Sequence, residues 1–329
     1  MELLIELGVF LAKAIVLVIA IVITVASIVA VVSRSKTERG ELAIKNMSEQ
    51  LADMTEYLNS QVLDKKAFKR YQKQQKSVKK TNSNTSAHSY VIHFKGSLDA
   101  HEVASLREEV SAVLVIAKPQ DEVIVTIESG GGMVHGYGLA ASQLARIREA
   151  NIPLTVCIDK VAASGGYMMA CVANTIVAAP FAIVGSIGVI AQIPNFNKVL
   201  KKHDVDFEQH TAGTFKRTLT MFGENTDDAR QKFKQELEQT HDLFKQFVQR
   251  YRSQLEIETV ATGEHWFGQQ ALDLNLIDDL KTSDDWIQQR ALNRKVFEVK
   301  YKIKQSLTDK LNKSAAIMVK NLIQQLTHR

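Results

Sequence analysis

Cysteine is scarce, with 2 in 329 residues, which excludes a disulfide framework and a four-cysteine zinc site. Four prolines and 16 glycines exclude collagen-like and Pro-rich architectures. Tandem repeats are missing. So is a Walker loop, because no Gly-Lys-Ser/Thr follows the glycine run. Gly130-Gly131-Gly132 is continuous and does not have the G-x-G-x-x-G spacing of a dinucleotide site. The G-x-S-x-G elbow of α/β-hydrolases is absent too, since position 162 is Ala. A wholly disordered chain is excluded by 45% hydrophobic and 23% charged residues.

The net charge of +5 is a remainder. Residues 1–33 carry −1, residues 34–80 carry +6, residues 81–285 carry −8 and residues 286–329 carry +8. An acidic middle lies between two basic flanks. Such flanks suit an anionic lipid surface, and the −8 of the middle argues against a nucleic-acid partner.

Ala14 to Val32 is 19 residues without a charge. As a helix it would span about 28 Å, close to the hydrocarbon thickness of a bilayer. The run is longer than the apolar core of a cleavable leader, and Ala26 and Ile28 fit a cleavage site poorly. An uncleaved N-terminal transmembrane anchor over 1–33, touching lipid through residues 9–33, is expected. Arg34, Lys36, Arg39 and Lys45 follow the span, which by charge alone places the remainder in the cytoplasm.

Residues 40–80 read as a charged helix with a thin apolar stripe of Leu51, Met54, Leu58 and Val62. Thr81–Ser89 is polar and small, the best linker in the chain. Thereafter strands and helices alternate: 90–94, 122–127, 153–158 and 175–178 as strands, 101–117, 134–150, 164–172 and 225–252 as helices. This pattern predicts an α/β layered fold with parallel strands. Residues 310–326 read as a basic amphipathic helix. The expected division is an anchor (1–33), a charged spacer and linker (34–89), a catalytic domain (90–285) and a basic helical tail (286–329).

Three glycine-rich places fall at strand–helix junctions. Ser129-Gly130-Gly131-Gly132 follows a strand and could cup an oxyanion or phosphate with free N–H groups, or be a plain tight turn. Ser164-Gly165-Gly166 opens a helix among residues with almost no side chain, so a carbonyl could approach Ser164; a simple N-cap is equally consistent. Ser186 stands between Gly185 and Gly188 in an apolar stretch. Nine histidines are present and none has a context that marks a base, although His135 is close to the glycine run. Lys216 has no acid within seven residues on either side, so burial there would leave its amine neutral.

The ordered set I-E-S-G-G-G (127–132), D-K-V-A-A-S-G-G-Y (159–167), G-S-I-G-V (185–189), A-G-T-F-K-R (212–217) and the stretch 263–280 resembles the signal peptide peptidase A family, in particular its SohB-type branch. The resemblance implies a ClpP/crotonase-like fold and a serine endopeptidase with a Ser-Lys dyad. It matches Ser164 to the nucleophile, Lys216 to the general base and Ser186 to the serine that bonds the lysine amine. It matches Gly131, aided by Gly165, to the oxyanion hole. Peptide or protein substrates, among them signal peptides and unfolded chains, and assembly with further copies of the chain are implied. No cofactor and no metal are implied. Family habit places the catalytic domain outside the cytoplasm on the bacterial inner membrane, against the flanking charge. The relatives' common glycine before Leu-Ile-Asp is Asn275 here, and Met168-Met169 departs from the usual pattern. A silent scaffold and a crotonase-type acyl-CoA enzyme are the competing classes.

Overall fold

The computed structural model describes residues 40–82 and 87–303. The uncharged run 14–32 and the basic stretch 310–326 lie outside the described residues. Among the described residues no helix is long and apolar enough to cross a membrane. The chain divides into two units, residues 43–300 and the terminal segments 1–42 with 301–329. In the described part of the terminal unit, the Gly40 N–H donates to Tyr301 Oη at 2.9 Å.

Residues 40–80 do not form the single helix expected. They make a strand, β1 (Glu41–Asn46), and two helices, α1 (Met47–Val62) and α2 (Lys65–Asn82). The Asn46 side chain caps α1 by accepting the Glu49 N–H at 3.1 Å. Asp64 accepts the N–H groups of Lys66 and Ala67, both at 2.8 Å, and so opens a new helix. A short acid that bonds its own backbone competes with helix continuation, and it splits the stretch at this point.

The alternation read from the sequence is present: β2 (His88–Lys95), α3 (Val103–Ile116), β3 (Glu122–Glu128), α4 (Val134–Glu149), β4 (Leu154–Ile158), then β6 (Thr175–Ala178). Between β4 and β6 come β5 (Val161–Ala163) and the short α5 (Gly165–Ala170). After β6 follow β7 (Ile183–Gly185), α6 (Asn197–Lys202), the long α7 (Asp227–Tyr251), α8 (Ile257–Val260), β8 (His265–Phe267), α9 (Gly268–Asp273), β9 (Asp279–Leu280), α10 (Ser283–Asn293) and β10 (Lys295–Lys302). Seven strands form one sheet in the order β1-β10-β2-β3-β4-β6-β9. Every pairing from β10 to β9 is parallel. Three strands form a second, mixed sheet in the order β5-β7-β8, with β5 parallel and β8 antiparallel to β7. β10 comes from the stretch that reads as basic tail. Its Val296 and Val299 are buried, and its exposed lysines, Lys295, Lys300 and Lys302, lie outside that pair.

Side-chain alternation builds the core. Tyr90, Ile92 and Phe94 of β2, Val123, Val125 and Ile127 of β3, and Leu154, Val156 and Ile158 of β4 face one cluster with α3, α4, α5 and α7. The intervening Val91, Ile124 and Cys157 face a smaller cluster with Trp286 and Ile287 of α10. Arg252, just past α7, is 3% exposed and paired with Asp278 Oδ2 at 2.9 Å; it also donates to the Asn275 carbonyl at 2.6 Å.

Candidate active site

Four loops meet past the carboxyl ends of the parallel strands, the usual place for a site in an α/β sheet. The end of β3 joins the two sheets: the Ser129 N–H donates to the Val161 carbonyl at 2.9 Å, and the Ala163 N–H donates to the Ser129 carbonyl at 3.0 Å. The 95–102 loop is tied in by the Met133 N–H, which donates to the Leu98 carbonyl at 2.8 Å.

Ser164 stands between β5 and α5 with φ 52° and ψ −120°. This is a costly backbone for a residue with a Cβ and persists only where the surroundings impose it. They do so here. The Ser164 N–H donates to the Gly185 carbonyl at 2.8 Å, and its carbonyl accepts the Met168 N–H at 2.9 Å. Its side chain makes no capping bond to the helix, so the plain N-cap reading does not apply. The serine is lifted, partly exposed, above a helix whose other residues are buried.

The glycines on either side of Ser164 are fixed by contact. Gly131 has φ +88°, and a Cβ there would lie 2.6 Å from Ser164 Cβ and 2.7 Å from the Gly165 nitrogen. A Cβ on Gly165 would lie 2.3 Å from Tyr137 Cγ. The Gly131 and Gly165 backbones therefore flank Ser164. Ser186 follows β7 as Ser164 follows β5, and the register pairs Ala163 with Gly185, so the two serines leave neighbouring strands side by side. Ser186 shares the left-handed backbone, φ 51°, and its hydroxyl donates weakly to the Gly263 carbonyl at 3.5 Å.

Lys216 is not in this group. It is exposed, in an irregular stretch between α6 and α7, with its N–H donating to the Gly213 carbonyl at 3.2 Å. His135 is also exposed, on the outer side of α4. Among the described residues there is no cluster of His, Cys, Asp and Glu arranged to hold a metal.

A cavity of about 440 Å³ opens beside Ser164 and Gly165. Its walls are Val134 and Gly138 of α4, Met168 of α5, and Leu243, Phe244 and Phe247 of α7. This space is lined by apolar groups and suits an apolar side chain next to the reacting carbonyl. The contribution of α7 was not legible in the sequence, where that helix reads only as amphipathic. Ser129 and Tyr137 also belong to the site, because Ser129 Oγ accepts the Gly131 N–H and the Tyr137 ring packs against Gly165. Ser129 sits in the quoted motif, but nothing in the sequence marks Tyr137.

The model of the N-terminal part of peptidase family S49 matches residues 2–144, and the model of peptidase family S49 matches residues 146–297. A probable protease SohB of Haemophilus influenzae is 46% identical over 98% of this chain and 96% of its own length. A putative protease SohB of Buchnera aphidicola subsp. Baizongia pistaciae is 46% identical over 98% of this chain and 97% of its own. In the solved structures, a 1510-N membrane-bound stomatin-specific protease in complex with a substrate peptide aligns over 68% of this chain and 95% of that one, at 14% identity and a TM-score of 0.42. Matched from residue 2 to residue 297 and nearly end to end with proteases, the chain belongs to peptidase family S49 and is a peptidase.

Proposed function

We propose that the chain is a membrane-anchored serine endopeptidase that works with a Ser-Lys dyad on a ClpP/crotonase-like fold. The observation that carries this reading is Ser164, held at φ 52° against Gly131 and Gly165 at the mouth of an apolar cavity. Ser164 Oγ attacks the peptide carbonyl. Lys216 takes its proton and then gives it to the leaving amine. The N–H groups of Gly131 and Gly165 hold the oxyanion, and water releases the acyl-enzyme. Ser186 orients the lysine amine.

An ammonium must lose its proton to act as a base, and desolvation is what lowers its pKa. Lys216 therefore works once its segment is covered. Phe207, Phe215, Met221 and Phe222 are exposed on the same segment and give a neighbouring copy an apolar surface to cover. Assembly of several copies accordingly forms part of the reading. Residues 14–32 anchor the chain in the bacterial inner membrane, with the catalytic domain on the extracytoplasmic side. The apolar cavity suits cleaved signal peptides and unfolded or membrane-associated chains. Ser164→Ala and Lys216→Ala should each abolish turnover of a fluorogenic peptide amide, because members of a dyad act as a unit. Turnover by Ser164→Ala at the wild-type rate would remove the basis of the reading.

A further inference from the structure

Ser129 and Tyr137 are buried polar side chains without a role in the chemistry above. Tyr137 is fully buried and Ser129 is 2% exposed. Three hydrogen bonds link them to the site. Tyr137 Oη donates to the Ser97 carbonyl at 2.8 Å. Ser129 Oγ and Tyr137 Oη are 2.5 Å apart. The Gly131 N–H donates to Ser129 Oγ at 3.1 Å.

The direction of every proton follows. A carbonyl only accepts, so the one phenol proton goes to Ser97. The Ser129 hydroxyl must then donate to Tyr137 Oη, which leaves its lone pairs facing the Gly131 N–H. Burial raises the Tyr137 phenol above its ordinary value, outweighing the opposing effect of the Ser129 bond, so this proton stays in place. The same tyrosine touches the other donor, because its ring packs where a side chain on Gly165 would be. A Cβ on Gly96 would lie 2.4 Å from Tyr137 Oη and 2.9 Å from Ser129 Oγ, so the pair is closed in from the far side as well.

We propose that Ser129 and Tyr137 are positioning residues of the oxyanion hole: Tyr137 orients the Ser129 hydroxyl, and that hydroxyl holds the Gly131 N–H in place while no oxyanion is present. The proposal rests on the reading of Ser164 as nucleophile with Gly131 and Gly165 as donors. With its peptide already fixed by Ser129, the Gly131 N–H has only to exchange a neutral hydroxyl acceptor for the developing charge, so losing that fixation is felt in the transition state and not in substrate binding.

The test uses the full chain, a fluorogenic peptide amide with an apolar acyl-side residue, and the matching peptide aldehyde, which forms an oxyanion on the serine. Tyr137→Phe keeps the ring on Gly165 and removes only the hydroxyl. Turnover is expressed per active site, titrated with a fluorophosphonate, so misfolded protein does not count. Tyr137→Phe and Ser129→Ala should each lower kcat about 10- to 100-fold with KM within about twofold. Aldehyde affinity should fall in step with kcat/KM, and Ser129→Thr should restore most of the rate. Unchanged or raised kcat in Tyr137→Phe and Ser129→Ala overturns the proposal, as does a loss confined to KM. Full turnover by Ser164→Ala overturns the underlying reading instead, and the proposal with it.

Discussion

Gly130 and Gly131 are adjacent in the sequence and opposite in consequence. Alanine at 131 meets two penalties. At φ +88° a side chain is strained, costing about 1–2 kcal/mol. Its Cβ would also lie 2.6 Å from Ser164 Cβ and 2.9 Å from the Ala163 carbonyl oxygen, and relieving such overpacking typically costs about 1–3 kcal/mol. The expected loss of stability is about 2–5 kcal/mol, or roughly 5–15 °C in Tm for a domain of this size. If the strain is relieved by movement of the 129–132 loop, the Gly131 N–H leaves the serine and kcat falls about 100- to 1000-fold. Alanine at 130 meets nothing within 4 Å, and stability should stay within about 0.5 kcal/mol. Thermal melts and peptide-amide turnover of the two variants form a paired measurement. Equal behaviour of Gly130→Ala and Gly131→Ala in both assays would refute the packing described around Ser164.

Removing the Asp278 carboxylate by Asp278→Ala strands the buried Arg252 and the Ile176 N–H that it accepts at 2.7 Å; denaturant titration should show a loss of about 3–5 kcal/mol. Asn275→Gly should change stability by less than about 1 kcal/mol in the same titration, because Asn275 already has the left-handed backbone at φ 59° that glycine adopts freely. Gly138→Phe should raise KM for peptides with a large apolar acyl-side residue, since Gly138 lines the cavity and its Cβ direction is open. Cys157 and Cys171 should resist iodoacetamide in the folded chain. Burial pushes both thiols well above their ordinary range, so only the unfolded chain ionises them as pH rises past about 8.5, and stability falls there.

Much of the main sheet was legible because its strands are short apolar runs between glycine, proline and polar turns. Thr175–Ala178 agrees residue for residue with the strand expected there. The second sheet was not legible. β5, β7 and β8 are three residues each, too short for period two to register, and they are specified by contacts with distant residues. β10 does not read as a strand because its buried Val296 and Val299 are three residues apart and its three lysines flank them, so no period-two pattern shows. At the site, Ser164, Gly131, Gly165 and Ser186 all stand in glycine-rich motifs visible in the sequence, and they lie close together in the fold. Lys216 belongs to a motif of its own, and in the single chain it is exposed on a separate segment. Tyr137 had no sequence mark at all. Its place beside the two glycines comes only from a hydroxyl 2.5 Å from Ser129 and a ring against Gly165, both of them products of folding.

The central claim is that Ser164 is the nucleophile. Treating the full chain with a fluorophosphonate and mapping the adduct by peptide mass spectrometry tests it most directly. The account predicts a single adduct on Ser164, formed in proportion to lost peptidase activity and absent in Ser164→Ala. An adduct on another residue that tracks the loss of activity, with Ser164 unmodified, would contradict it.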